Sequence, residues 1–172
     1  MAMAQPIPLS ILAGALALAT LAGCAQDKET DVRAQVDKWV DIGATLHFAS
    51  QFGCTAGVFE LASAEVKSTA PHAVTIREGL SLLKQVGTAS FQTPDLSPSD
   101  ISAQINSMDM SVGNAVLASG LGARDCLKDD WRAAYLTALQ AKGGILIFQR
   151  DGNTLAIVDR AAQRVYFSRG DV

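Results

Sequence analysis

Two near-continuous apolar runs, Gly144 to Gln149 and Leu155 to Val158, are joined by Arg150-Asp151-Gly152-Asn153, and this arrangement constrains the fold more than any other. An Asp-Gly step tolerates the positive φ that tight hairpin turns require, so the runs read as two antiparallel strands. After Arg160-Ala161-Ala162-Gln163, Val165 and Phe167 alternate with Arg164, Tyr166 and Ser168 over residues Arg164 to Arg169. That is the period of a half-buried strand. The C-terminal third is therefore expected to be a three-stranded antiparallel meander. Its first two strands read as buried, and the third as an edge guarded by its charges.

Upstream the dominant period is helical. Asp31 to Ser50 places Val32, Val36, Trp39, Val40, Gly43, Leu46 and His47 on one stripe, predicting an amphipathic helix, with Gly53 as a stop. Cys54 to Val66 is mixed: Val58, Phe59 and Leu61 suit a strand, Ala62, Ala64 and Glu65 a helix. Thr75-Ile76-Arg77-Glu78 has capping-box spacing, followed by Leu80, Leu83 and Val86 and a terminating Gly87. Thr88 to Thr93 reads as a short strand around Phe91. Ser97-Pro98-Ser99-Asp100 opens another helix, with Ile101, Ile105 and Met108 inward. A further helix over Ser111 to Ser119 should end at Gly120 and Gly122. Asp129 or Asp130 should cap the next, with Trp131, Tyr135, Leu136 and Leu139 inward and Gly143-Gly144 closing it. The expected fold class is α+β: N-terminal helices followed by the C-terminal meander packed on helices, in one globular domain over residues 31–172.

Leu9 to Gly23 carries no charge, and Ile11, Leu12, Leu16, Leu18 and Leu21 form a short apolar segment. About 20 apolar residues span a bilayer as a helix, so this run is short for a permanent span and right for a signal-peptide core. It closes on Leu21-Ala22-Gly23-Cys24, which resembles the lipobox of bacterial lipoproteins. The resemblance covers residues 1–24. It implies a signal peptide over residues 1–23, cleavage before Cys24, a diacylglycerol on the Cys24 thiol and acylation (palmitate) of the new amino terminus. Residues 24–30 would be the lipidated cysteine and a short polar tether. Ala25, where Asp tends to retain such proteins in the inner membrane, implies the periplasmic face of the outer membrane. Met1 to Ser10 carries no Lys or Arg, where a signal peptide normally begins with one. The same run reads otherwise as an ordinary secretory signal with an incidental Cys24, or as an uncleaved anchor. All three readings export the rest of the chain.

Export bears on the cysteines. In an oxidising compartment, Cys54 and Cys126 in a small exported domain read as a disulfide, the alternative being two buried thiols. Closing a loop of roughly 70 residues stabilises by about 4 kcal/mol in the chain-entropy argument, an upper figure because strain subtracts from it.

No familiar catalytic arrangement emerges. His47 precedes Cys54 closely enough to suggest a Cys–His nucleophile, but that needs a thiolate within hydrogen-bond reach, and a bridged Cys54 could not act. His72, after Pro71 in a loop, reads as exposed. Two histidines and two well-separated cysteines without C-x-x-C or H-E-x-x-H argue against zinc, and Asp151-Gly152-Asn153 is better explained as a turn than as a calcium loop. Ala118-Ser119-Gly120-Leu121-Gly122 is not a nucleophile elbow, and Gly120 to Arg124 follows a helical pattern where a phosphate loop follows a strand. Arg160, Arg164 and Arg169 with Tyr166 could form a basic-aromatic face on the last strand, though charges that guard an edge explain them as well.

A formal net charge of −3 with no Lys/Arg cluster argues against nucleic-acid binding and gives no polybasic membrane patch. No cofactor and no metal are expected. The expected partners are the membrane, through the anchor at Cys24, and an envelope protein. The function expected is that of a membrane-anchored, non-enzymatic binding or structural module of the cell envelope. Two alternatives stay open: a hydrolase-like envelope enzyme with a site assembled from distant residues, and a small-molecule binder with an apolar cleft between helices and sheet.

Overall fold

The computed structural model describes residues 26–170. The lipobox residues Leu21-Ala22-Gly23-Cys24 lie outside them. The order of elements is α1 (Glu29–Asp37), β1 (Val40–Gln51), β2 (Cys54–Val66), β3 (His72–Ala73), α2 (Ile76–Gln85), β4 (Thr88–Phe91), α3 (Pro98–Met108), α4 (Met110–Cys126), α5 (Asp129–Gln140), β5 (Ile145–Gln149), β6 (Thr154–Asp159) and β7 (Arg164–Gly170). The α+β class holds. The three-stranded sheet does not: all seven strands form one sheet in the order β1-β2-β7-β6-β5-β4-β3. Neighbours are antiparallel except β3 and β4, which pair in parallel through His72–Ser90 and Ala73–Phe91.

The expected meander is the centre of this larger sheet. β5, β6 and β7 pair consecutively, and Gly152 (φ 74) and Asn153 (φ 45) supply the positive dihedrals of the first turn. β7 is not an edge, because β2 pairs along its other side from Cys54–Gly170 to Glu60–Arg164. The alternation in β7 reflects two buried faces rather than one wet one: Tyr166 is only 2% exposed.

Of the four further strands, β4 is the short strand expected around Phe91, β3 falls beside Pro71 in an expected loop, and β1 and β2 come from the predicted first helix and the mixed segment after it. Val32 and Val36 do lie inward on α1, but the helix stops at Asp37. Trp39 and Val40 continue the helical rhythm only because they enter the same core from the start of β1. From there the chain pairs with β2, with register shifts between Val40 and His47. Pairing across a long hairpin outweighs a weak local preference. Such bulges also suit an edge strand. In β2, Cys54, Ala56 and Val58 face one side and Phe59 and Leu61 the other, the period of two that resolves its ambiguity.

Each face of the sheet carries its own core. On one, Val58, Leu146, Phe148, Leu155, Ile157 and Tyr166 meet α2, α3, α4 and α5. On the other, Phe59, Ile145, Ile147, Val158, Val165 and Phe167 meet α1 and Trp39. Burial on both faces explains why Ile145-Leu146-Ile147-Phe148 is apolar throughout.

The helix starts follow their capping residues. Thr75 Oγ1 accepts from the Glu78 amide at 3.2 Å, but Glu78 reaches back to the Val74 amide, so only half of the capping box forms. At α3 it is complete: Ser97 Oγ accepts from the Asp100 amide, and Asp100 accepts from the Ser97 amide at 2.9 Å. Those bonds hold the Asp100 carboxyl below the usual carboxylate range. Met108, expected inside, is exposed, as is Val86. The N-cap of α5 is Lys128, with no side-chain cap from Asp129 or Asp130.

Candidate functional site

α4 builds the candidate site because of its small residues. Gly120 and Gly122, expected to end a helix, sit inside one that continues to Cys126. They are contact points. A Cβ at Gly122 would stand 2.9 Å from Gly170 Cα, and one at Gly120 would stand 3.4 Å from both Leu155 Cδ2 and Tyr135 Oη. Gly113 similarly lets α4 approach Asn106 on α3. α4 therefore lies close to the sheet and to α3, and offers few large side chains with which to fill the space toward α5.

The result is a cleft of about 420 Å³ between α3, α4 and α5. Its floor is Leu155, Val116 and Tyr135, all buried, and its walls include Ala103, Leu117, Leu121, Leu136 and Leu139. Leu117, Leu121 and Leu136 stand exposed at the rim; Leu136, expected to point inward, is 48% exposed. The polar groups are few. Ser102 Oγ donates to the Pro98 carbonyl at 2.9 Å, and Tyr135 Oη donates to the Gly120 carbonyl at 3.3 Å. Burial pushes the Tyr135 phenol up to about 12, so it is neutral at ordinary pH. Asn106 Oδ1, by contrast, is buried without a hydrogen-bond partner among the described residues, and Arg124 is exposed at the rim. That oxygen lies against Gly113 of α4, and an unpaired buried acceptor is costly.

Cys54 and Cys126 are joined by a disulfide with Cα atoms 6.1 Å apart, tying the end of α4 to the start of β2. That removes the Cys54–His47 nucleophile. His47 Nε2 instead donates to the Cys126 carbonyl at 3.2 Å, and its ring stacks near Trp131 at 6.4 Å. His72 is exposed as expected, though in β3 rather than a loop.

The arginines do not form one face. Arg164 lies over the Trp131 ring at 5.1 Å, Arg160 donates to the Ala64 carbonyl and Gln92, and Arg169 is ion-paired with Asp27. Tyr166 is buried in the helix-side core and meets only Arg164 of the three, through its phenol. Arg164 and Trp131 border a second hollow of about 440 Å³ with Glu60 and Leu61. Among the described residues, no group of three or more His, Cys, Asp or Glu side chains could hold a metal, and no helix is long and apolar enough to cross a membrane.

The cleft residues were largely missed in the sequence because they answer to three helices at once. One signal was present: the glycines of α4 mark where that helix comes close to α3 and the sheet, although they do not locate the gap toward α5. Comparison with known proteins finds no family whose model matches this chain, and no significant match among curated proteins or solved structures.

Proposed function

We propose that this protein is an exported, lipid-anchored module of the cell envelope whose α3–α4–α5 cleft binds an apolar small molecule, without acting on it chemically. The anchor rests on Leu21-Ala22-Gly23-Cys24, and the Cys54–Cys126 bridge suits an oxidising compartment. The observation that carries the binding reading is the cleft, with its apolar floor and leucines at the rim. Its volume falls within the range of small-molecule sites, which are mostly apolar with a few orienting polar groups. A recessed cleft favours a small molecule over a protein partner, which would be met by a flat patch.

The test is titration with the fluorescent apolar probe N-phenyl-1-naphthylamine. Ala103 is exposed on the wall of the cleft, so Ala103→Trp obstructs it without disturbing the core. The wild type should enhance probe emission saturably, and Ala103→Trp should weaken binding at least tenfold, about 1.4 kcal/mol, at an unchanged thermal midpoint. Equal binding by the two proteins would defeat the proposal. Intact mass from native membranes tests the anchor: the chain should begin at acylated Cys24.

A further inference from the structure

We infer that Phe52, at the tip of the β1–β2 hairpin, is a membrane-contact residue inserted into the bilayer interface beside the lipid anchor. The inference rests on the lipidation of Cys24 proposed above.

Phe52 is 84% exposed. It occupies a two-residue turn with Gly53, whose φ of 84° supplies the left-handed position between the paired Gln51 and Cys54. A side chain there projects past the end of the sheet and adds nothing to either core. A lone exposed aromatic is ordinary on a protein surface. What distinguishes this one is where the chain arrives.

Asp27 is fixed to the same hairpin. Its amide donates to Ser50 Oγ at 3.0 Å, its carboxylate accepts from Thr55 Oγ1 at 2.7 Å, and Arg169 of β7 pairs with its other oxygen. Ser50 and Thr55 face each other in the register, two residues before the turn and two after it. Phe52 therefore lies about 7 Å beyond that pair along the strand direction. Only Ala25 and Gln26 lie between Cys24 and Asp27, a reach of about 10 Å when extended. Acyl chains on Cys24 hold the hairpin tip at the bilayer surface, where an exposed phenyl ring passes into the headgroup–acyl boundary. The acyl chains supply the hold, and an aromatic contact beside them fixes the orientation of the domain at the surface.

The test uses the full acylated chain in vesicles of phosphatidylglycerol and dibrominated phosphatidylcholine, in which bromine quenches tryptophan emission within the bilayer. Phe52→Trp is compared with Ala161→Trp, an exposed position in the β6–β7 turn at the opposite end of the sheet, about 20 Å away. The native Trp39 and Trp131 give the same background in both. The added emission of Trp at position 52 should be blue-shifted and largely lost on brominated vesicles, and that at position 161 unchanged. Vesicle-bound protein with the two positions quenched equally overturns the inference and leaves the anchor intact. Protein that is unacylated and stays in solution overturns both.

Discussion

The two faces of the sheet are covered in opposite ways. One carries a single nine-residue helix, α1, and is sealed by Trp39, Phe59 and Phe167, each at most 1% exposed. The other carries four helices, yet it is the one that holds a cleft. More cover has not meant closer packing. A short helix backed by large rings fills the space above a twisted sheet, whereas α4, drawn close to α3 and the sheet, leaves a gap toward α5. Even the polar trim differs. Arg33 on α1 donates to Thr45 Oγ1 and the Gly43 carbonyl and lies over Phe59, binding α1 to the edge strand, while Asn106 on the cleft side has an oxygen with no partner among the described residues.

Removing the largest ring should break the closed face. Trp39→Ala is expected to cost about 4 kcal/mol in chemical denaturation, whereas Leu136→Ala at the cleft rim should stay within about 0.5 kcal/mol. Comparable losses would dissolve the contrast. Next comes the bridge that ties α4 to β2. Replacing Cys54 and Cys126 by Ala together should cost about 3 kcal/mol in thermal unfolding and weaken probe binding, since it frees the wall of the cleft.

The cleft side should also show an alkaline weakness. Tyr135 ionises at about 12 in the folded protein against an ordinary phenol near 10, so the unfolded chain releases its proton first. Its contribution is complete below pH 10 and falls by about 2 to 3 kcal/mol as pH rises toward 12. Tyr166, raised in the same direction by burial, adds to the loss. Denaturation of Tyr135→Phe from pH 8 to 12 should show a shallower decline; an identical slope would remove Tyr135 as its cause. The smallest effect is local. Ser97→Ala, which opens the capping box of α3, should cost about 1 kcal/mol and be seen as faster amide exchange in the first turn of that helix.

What could be read from the chain depended on how local the cause was. Asp151-Gly152-Asn153 specifies its turn by dihedral preference, and Ser97-Pro98-Ser99-Asp100 specifies a helix start by hydrogen bonds within four residues, and both are found in the structure. The bridge between Cys54 and Cys126 was legible from compartment chemistry. β1 was not. Val40, Leu46 and His47 fit a helical wheel, and only pairing with β2, itself ambiguous, makes them a strand. The identity of β7 as an interior strand depended in turn on β2, since Tyr166 among arginines reads as an edge until a second neighbour is known. The cleft lay furthest from view, because its walls come from α3, α4 and α5 together and no local pattern specifies the gap between them.

β7 sits between β2 and β6, although it is the last strand described in the chain. The β1–β2 hairpin thus has no sheet to join until residues near Gly170 have been delivered. A chain wired in this order cannot complete its fold piecemeal from the amino end, and its most remote pairing is needed to finish it. Strand order of this kind would keep a chain threadable through a narrow pore, as the proposed export requires, with the sheet closing only once β7 has arrived.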